Sequence, residues 1–175
     1  MRNVKCLLAG ACMTLSMQAV SDTTVTMHLV SEKGVGEAIG TVQISEAKKG
    51  IVLTPMLSGL SAGLHGFHVH ENGSCEPSTK GGKVTPAGAA GSHLNLNDAK
   101  HHGAPWGKGH TGDLPALFVN DDGVAQHPVF APNLKMKPID GKALIIHEGG
   151  DNYSDTPQPL GGGGARVACG IIKGN

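Results

Sequence analysis

The sequence predicts an all-β protein, a Greek-key β-sandwich or flattened barrel of about eight antiparallel strands carrying two long functional loops. Three observations lead there. The 27 Gly and 10 Pro, beside one Trp and one Tyr, favour tight turns and long connections over packed amphipathic helices. Short runs of alternating apolar and polar residues recur between turn signals, which is the period of a half-buried strand. Two stretches, Asn72 to Gly112 and Gly149 to Ala165, lose that period and fill with Gly, Pro and polar side chains. Connections this long inside one domain are usually functional or disordered, and the histidines and acidic residues in them favour function. A length of 175 residues suits one domain with a real core.

Taken in order, Val25, Met27 and Leu29 alternate with Thr26 and His28 and make a first strand. Val35 to Ser45 reads as a second strand after the turn at Lys33-Gly34, and Gly50 to Leu57 as a third. Gly63 to Glu71 is the fourth. Side chains of a strand alternate faces, so His68 and His70 share one face while Phe67 and Val69 point to the other, into the core. His65 has the parity of Phe67, which makes it an inward, hydrogen-bonded structural histidine rather than a ligand. After the first long loop, Asp113 to Asn120 resumes as a strand, turns at Asp121-Asp122-Gly123 and returns as Val124 to Phe130. Asn133 to Asp140 is a connection, Lys142 to His147 an apolar strand, and Arg166 to Ile172 the last strand, entered from Gly161-Gly162-Gly163-Gly164. Glycines there allow backbone conformations that hold Arg166 and Cys169 in place.

Lys plus Arg and Asp plus Glu both number 14, so no broad charge attracts nucleic acid or an acidic membrane. The chain opens Met1-Arg2-Asn3-Val4-Lys5, runs uncharged from Cys6 to Met17 and reaches small residues near Ala19. This pattern predicts a secretory signal peptide at 1–19, a mature domain at 20–175 with no membrane-spanning segment, and an exported, periplasmic protein. Lipidation at Cys12 is the minority reading, because the apolar run before it is short. Cys75 and Cys169 are then the pair left in an oxidising compartment, and a single disulfide follows.

The ten histidines are the compositional anomaly. An isolated His-x-His is more often solvated strand than ligand, but here further candidate ligands follow it: His93, His102 with His110 and Asp113, and His147. Their arrangement suggests two sites. His147 ends an apolar strand near a loop mouth and is placed to join His68 and His70 in a nitrogen-rich site that suits copper. His110 and Asp113 lie three apart in a Gly-containing turn, eight residues after His102, and three nitrogens with a carboxylate oxygen suit tetrahedral zinc.

Gly66-Phe67-His68-Val69-His70-Glu71, Gly109-His110-Thr111-Gly112-Asp113-Leu114 and Gly163-Gly164-Ala165-Arg166-Val167-Ala168-Cys169-Gly170 together resemble the copper/zinc superoxide dismutases. Gly149-Gly150-Asp151-Asn152-Tyr153-Ser154-Asp155 resembles the second loop of their exported bacterial branch. The resemblance is dense from His65 to Ile172 and rests on strand pattern before that. It implies that His68, His70 and His147 bind copper, that His93 bridges copper and zinc, and that His102, His110 and Asp113 complete zinc. It implies further that Asp151 links a copper histidine to a zinc histidine, that Cys75 and Cys169 form the family's disulfide, and that Arg166 is its active-site arginine. Where the family commonly has an Asn-Pro or Asp-Pro pair after the bridging histidine, this chain reads His93-Leu94-Asn95-Leu96, with Leu in the proline's place.

The implied reaction is dismutation of superoxide to oxygen and hydrogen peroxide. In the family scheme superoxide reduces copper(II), His93 leaves the metal and takes a proton, and a second superoxide reoxidises copper with that proton at hand. The alternative on the same fold is a non-catalytic copper/zinc carrier, expected to lack part of the copper set or the arginine; this chain keeps both. A zinc hydrolase needs an open zinc position, which four protein ligands close. Lys80, Lys83, Lys100 and Lys108 are the first-loop cations available to attract the anion. Trp106 is either a homodimer contact or a local packing residue.

Overall fold

The computed structural model describes residues 22–174, so the expected signal peptide at 1–19, with Cys6 and Cys12, lies outside the described residues. Among the described residues there are eleven strands: β1 (Thr23–Ser31), β2 (Gly34–Ala47), β3 (Gly50–Leu57), β4 (Gly63–His65), β5 (Phe67–His70), β6 (Ser78–Lys80), β7 (Lys83–Thr85), β8 (Leu117–Val119), β9 (Val129–Ala131), β10 (Ala143–His147) and β11 (Arg166–Ile171). Seven of them form one curled antiparallel sheet in the order β5-β10-β11-β1-β2-β3-β9, and β4 pairs with β8. The β-rich architecture is the one the alternation predicts. Four details differ from the sequence expectation. The turn at Asp121-Asp122-Gly123 does not close a hairpin, because β8 pairs with β4 whereas the returning segment crosses to pair, as β9, with β3. The fourth strand is two, broken at Gly66, whose N–H donates to Gly149 and whose carbonyl accepts from His147. The first long loop contains a small hairpin, β6 with β7, and the connection after β9 contains one helical turn at Met136–Ile139. These short pieces carry too few residues to show a period.

Inside the curled sheet, Phe67, Val69, Leu144 and Ile146 pack with Val25, Met27, Val42, Ile44, Leu53 and Leu117. Because strand side chains alternate, the opposite face of β10 presents Ala143 and Ile145, and these are buried beneath the first loop with Ala87, Ala90 and Cys169. On that second face β5 offers His68 and His70, directly across from Ile145 and Ala143. The site is therefore built on the outside of the sheet and roofed by loops.

The loops are tied down covalently and by hydrogen bonds. Cys75 and Cys169 form the expected disulfide, joining residues 94 apart in sequence. In the chain-entropy model a crosslink closing so long a loop contributes about 4–5 kcal/mol. His65 is the structural histidine expected: it is buried, its Nδ1 lies 2.7 Å from the carbonyl of His147 and its Nε2 2.8 Å from that of Ser61.

Candidate metal centre

Four imidazoles, from His68, His70, His93 and His147, bring nitrogen atoms within 4.8 Å of one another, and all four residues are buried. His68, His93, His102 and Asp113 form an overlapping group on the same criterion. His110 lies beside the second group, with its Nδ1 3.4 Å from Asp113 Oδ2 and its ring 5.7 Å from that of His93. All seven residues singled out as ligands in the sequence thus meet in one place.

Hydrogen bonds decide which nitrogen each ring leaves free. His68 Nε2 donates to Asp151 Oδ2 at 2.8 Å, His70 Nδ1 to the Gly91 carbonyl at 2.9 Å, and His147 Nδ1 to the Gly164 carbonyl at 3.2 Å. The atoms left are His68 Nδ1 and the Nε2 atoms of His70 and His147, and the latter two stand 3.4 Å apart. On the other side, Asp151 Oδ1 accepts from His102 Nε2 at 2.8 Å, which leaves His102 Nδ1 facing Asp113 Oδ1 at 3.1 Å. Asp151 therefore ties one histidine of each group through its two oxygens. His93 reaches both groups, its Nδ1 2.9 Å from Asp113 Oδ1 and its Nε2 on the side of the first group.

The donor set fits two metal ions. His68 Nδ1, His93 Nε2, His102 Nδ1 and His110 Nδ1 are buried without a hydrogen-bond partner. A buried polar atom left unpaired costs about 1–3 kcal/mol, so four in one cluster require a shared explanation, and a cation supplies it. Charge supports the same reading. Burial pushes His68 down to about 4 and His147 to about 3, and His70 well below the usual imidazole range, so these rings are neutral and able to coordinate. Burial also lowers His93. His102 goes the other way: burial opposes it, but the nearby Asp113 carboxylate and the bond to Asp151 raise it to about 9 without a metal. Both carboxyls are held below the ordinary range by their histidine partners, in spite of burial. An excess of negative charge thus surrounds His102, where a divalent cation replaces the proton.

Glycines make the close approaches that bring these loops together. A Cβ on Gly161, whose φ is 74°, would stand 2.0 Å from Asp151 Oδ1 and 2.8 Å from His102 Nε2. The four-glycine run is thus not only the entry to the last strand but also part of the cover over Asp151 and His102. Leu96, in the place of the family's proline, donates its N–H to Thr111 Oγ1 at 3.0 Å, a bond that proline cannot make. The loop is held there by a hydrogen bond in place of a ring.

An open cavity of 660 Å³ borders the first group and is lined by His70, His93, His147 and Arg166 with Lys83 and Glu32 at hand. Arg166 donates from Nη1 to the Ala87 carbonyl at 2.6 Å and from Nη2 to the Gly91 carbonyl at 2.5 Å, which fixes the guanidinium and leaves its other N–H groups free. Of the four lysines considered from sequence, Lys83 lines this cavity, whereas Lys108 lines a different groove. Three contributors escaped sequence reasoning: the Gly91 carbonyl, which accepts from both His70 and Arg166; Asp155, which accepts the His102 backbone N–H at 3.0 Å; and Glu32. Gly91 alone left a signal, a glycine two residues before a candidate ligand. Trp106 is 65 % exposed and its ring stands 5.6 Å from that of Tyr153.

With this geometry in view, comparisons with known proteins are specific. Residues 38–172 match the family model of copper/zinc superoxide dismutase. The chain is 55 % identical over 157 residues to superoxide dismutase [Cu-Zn] 2 of Salmonella typhimurium, covering 89 % of this chain and 90 % of that relative. The structure of the Cu/Zn superoxide dismutase from Brucella abortus superposes with a TM-score of 0.85 at 51 % identity, covering 87 % of this chain and 99 % of that one. The solution structure of the monomeric copper, zinc superoxide dismutase from Salmonella enterica gives a TM-score of 0.78 at 53 % identity, with the same coverage of both chains. The chain belongs to the copper/zinc superoxide dismutase family, and it is an enzyme that dismutes superoxide to oxygen and hydrogen peroxide with copper and zinc as cofactors.

Proposed function

We propose that His68, His70, His93 and His147 hold copper, that His93, His102, His110 and Asp113 hold zinc, and that His93 bridges the two. The observation that carries this reading is the set of unpartnered buried nitrogens on His68, His93, His102 and His110, each on a ring in one of the two groups or, for His110, directly beside it. When bound, copper would supply the electron relay by cycling between two oxidation states, and zinc would help to keep His93 in position.

The rest is work for the chain's own residues. Arg166, half-buried and doubly held by carbonyls, presents a fixed positive charge in the cavity and hydrogen-bonds the anion beside His70 and His147. Lys83 at the same cavity adds attraction, and Glu32 opposes it. His93 Nε2, buried and free of other partners, is the nitrogen that would accept a proton from water when it is not engaged by copper and pass it to the reduced oxygen.

Two substitutions test the assignment. His93→Ala should uncouple the metals and lower activity while His68, His70 and His147 still bind copper; unchanged activity with an unchanged copper spectrum overturns the bridge. At full copper loading Arg166→Gln should slow the second-order reaction, Arg166→Glu should slow it more, and Arg166→Lys should keep most of the rate. Equal rates across that set overturn the role of the arginine.

Two further parts of the reading concern the whole chain. Export to the periplasm with removal of residues 1–19 is supported by the charged start, the uncharged run and the disulfide. N-terminal sequencing of protein released by osmotic shock tests it, and a start other than residue 20 moves the cleavage bond. A homodimer with Trp106 in the contact is supported by the exposure of that indole. Sedimentation of the native protein and Trp106→Ala tests it, and a monomer at micromolar concentration overturns it.

A further inference from the structure

Every ligand ring but one is locked by a second hydrogen bond or by use of both nitrogens. His68 and His102 are held by Asp151, His70 by the Gly91 carbonyl, His147 by the Gly164 carbonyl, and His93 stands between the two groups. His110 is the exception. Its Nδ1 is buried and turned to Asp113, but its Nε2 makes no hydrogen bond among the described residues. No protein group among the described residues fixes this imidazole from outside, in contrast to the carboxylate and carbonyl partners of the other rings. His110 is also the one zinc-side ring open to solvent: its side chain is 14 % exposed, against 0 % for His102 and Asp113 and 2 % for His93.

Outside His110 lies a groove of 590 Å³, bordered by Leu96, Asn97, Lys108, Thr111 and Asn133. It shares no residue with the cavity that borders His70, His93, His147 and Arg166. The inner wall of the zinc side is closed: Gly103 and Gly109 approach so nearly that a Cβ on Gly109 would stand 2.6 Å from both Gly103 N and Asp113 Oδ2. Gly161 covers Asp151 and His102 just as closely.

We propose that zinc enters and leaves its site through the groove at His110, whose unfixed ring swings as the door, independently of the cavity that receives superoxide. The inference rests on the zinc assignment made above. The ion meets the groove first, His110 turns outward, and Asp113 with His102 and His93 receive the ion before the ring closes as the last ligand. Lys108, exposed at this groove, repels the arriving cation, as Lys83 does at the other opening.

The test uses mature, metal-free protein and follows uptake of two probes, cobalt(II) by its four-coordinate visible absorption and copper(II) by its own. Lys108→Glu should speed cobalt uptake roughly three- to tenfold at low salt, a gain that fades as salt is added, and should leave copper uptake unchanged. Lys83→Glu should do the converse. Cobalt uptake that ignores Lys108→Glu, or that responds equally to Lys83→Glu, overturns the separate route. Failure of the underlying assignment has a different signature: native protein that gives no four-coordinate cobalt spectrum, or His110→Ala that gives an unchanged one. If the door is real, His110→Ala should also raise the rate at which a chelator withdraws cobalt, with copper withdrawal little changed.

Discussion

The two halves of the metal centre are positioned by different means. His68, His70 and His147 stand on paired strands, where the ladder between β5 and β10 fixes Ile145 against His68 and Ala143 against His70. His102 and His110 stand on a loop, where the order comes from single hydrogen bonds: Asp151 to the His102 ring, Asp155 to its backbone, and the backbone N–H groups of Gly103 and His110 to Oδ2 of Asp113, which is itself bridged to His68 where the loop rejoins the sheet. The difference shows in charge as well. The strand-borne rings are neutral through burial, whereas the loop-borne His102 is held protonated by two carboxylates in the absence of metal. A rigid half suits ligands that must stay put through a redox cycle, and a looser half suits an ion that only holds position.

The largest expected effect tests whether the strand half is as independent of the loops as its ladder suggests. Replacing Cys75 and Cys169 by Ser should lower stability by about 4 kcal/mol in urea unfolding of the metal-loaded protein. It should also loosen the segment whose Ala87 and Gly91 carbonyls hold Arg166, and so slow the reaction. An unchanged rate with full loss of stability would mean that the strand half orders its own roof.

Next in size is the link between the halves. Asp151→Ala removes an outer partner from one histidine on each side, a change that costs roughly 10- to 100-fold in metal affinity. Chelator competition should show a greater loss for zinc than for copper, because His68 keeps its place in β5. Equal losses would erase the distinction between strand and loop.

Acid and base should then separate the halves in the metal-free protein, and by less, since they oppose each other. His68, at about 4, and His147, at about 3, bind protons less readily folded than unfolded. Their contribution to stability is complete above about pH 6.5 and falls as pH drops toward 4. His102, raised to about 9, contributes fully below about pH 6.5, and that contribution is lost as pH rises through 9. Urea midpoints should peak near pH 6.5, and His102→Gln should remove the alkaline fall while sparing the acid one. A flat profile would contradict both the burial of His68 and His147 and the pairing of His102 with Asp113 and Asp151.

The smallest effect lies at the cavity mouth, where Glu32 faces the same space as Lys83 and Arg166. Glu32→Gln should raise the second-order rate about twofold at low salt, with the gain shrinking as salt screens it. A slower variant would show that Glu32 positions a neighbour and is not a brake on the anion.

Much of this was legible in the sequence because it is local. Alternation alone put His68 and His70 on one face and Phe67 and Val69 on the other, composition and long loops pointed to β structure, and two cysteines beyond the expected signal peptide left one pairing. The candidate ligands were suggested by type and spacing, and His65 was set aside by parity. What the tertiary structure alone decided depends on where distant backbone comes to rest. The break at Gly66 follows from bonds to Gly149 and His147 across the fold. Which nitrogen each ring leaves free follows from carbonyls at Gly91 and Gly164 and from Asp151, none of them neighbours in sequence of the rings they hold. Lys83 and Lys108 look alike as residues of one loop, yet that loop's path sends one to the anion cavity and the other to the groove at His110. Strand periodicity is a property of consecutive residues and can be read from them; a loop's path is fixed by long-range hydrogen bonds and close glycine contacts, which have no period to read.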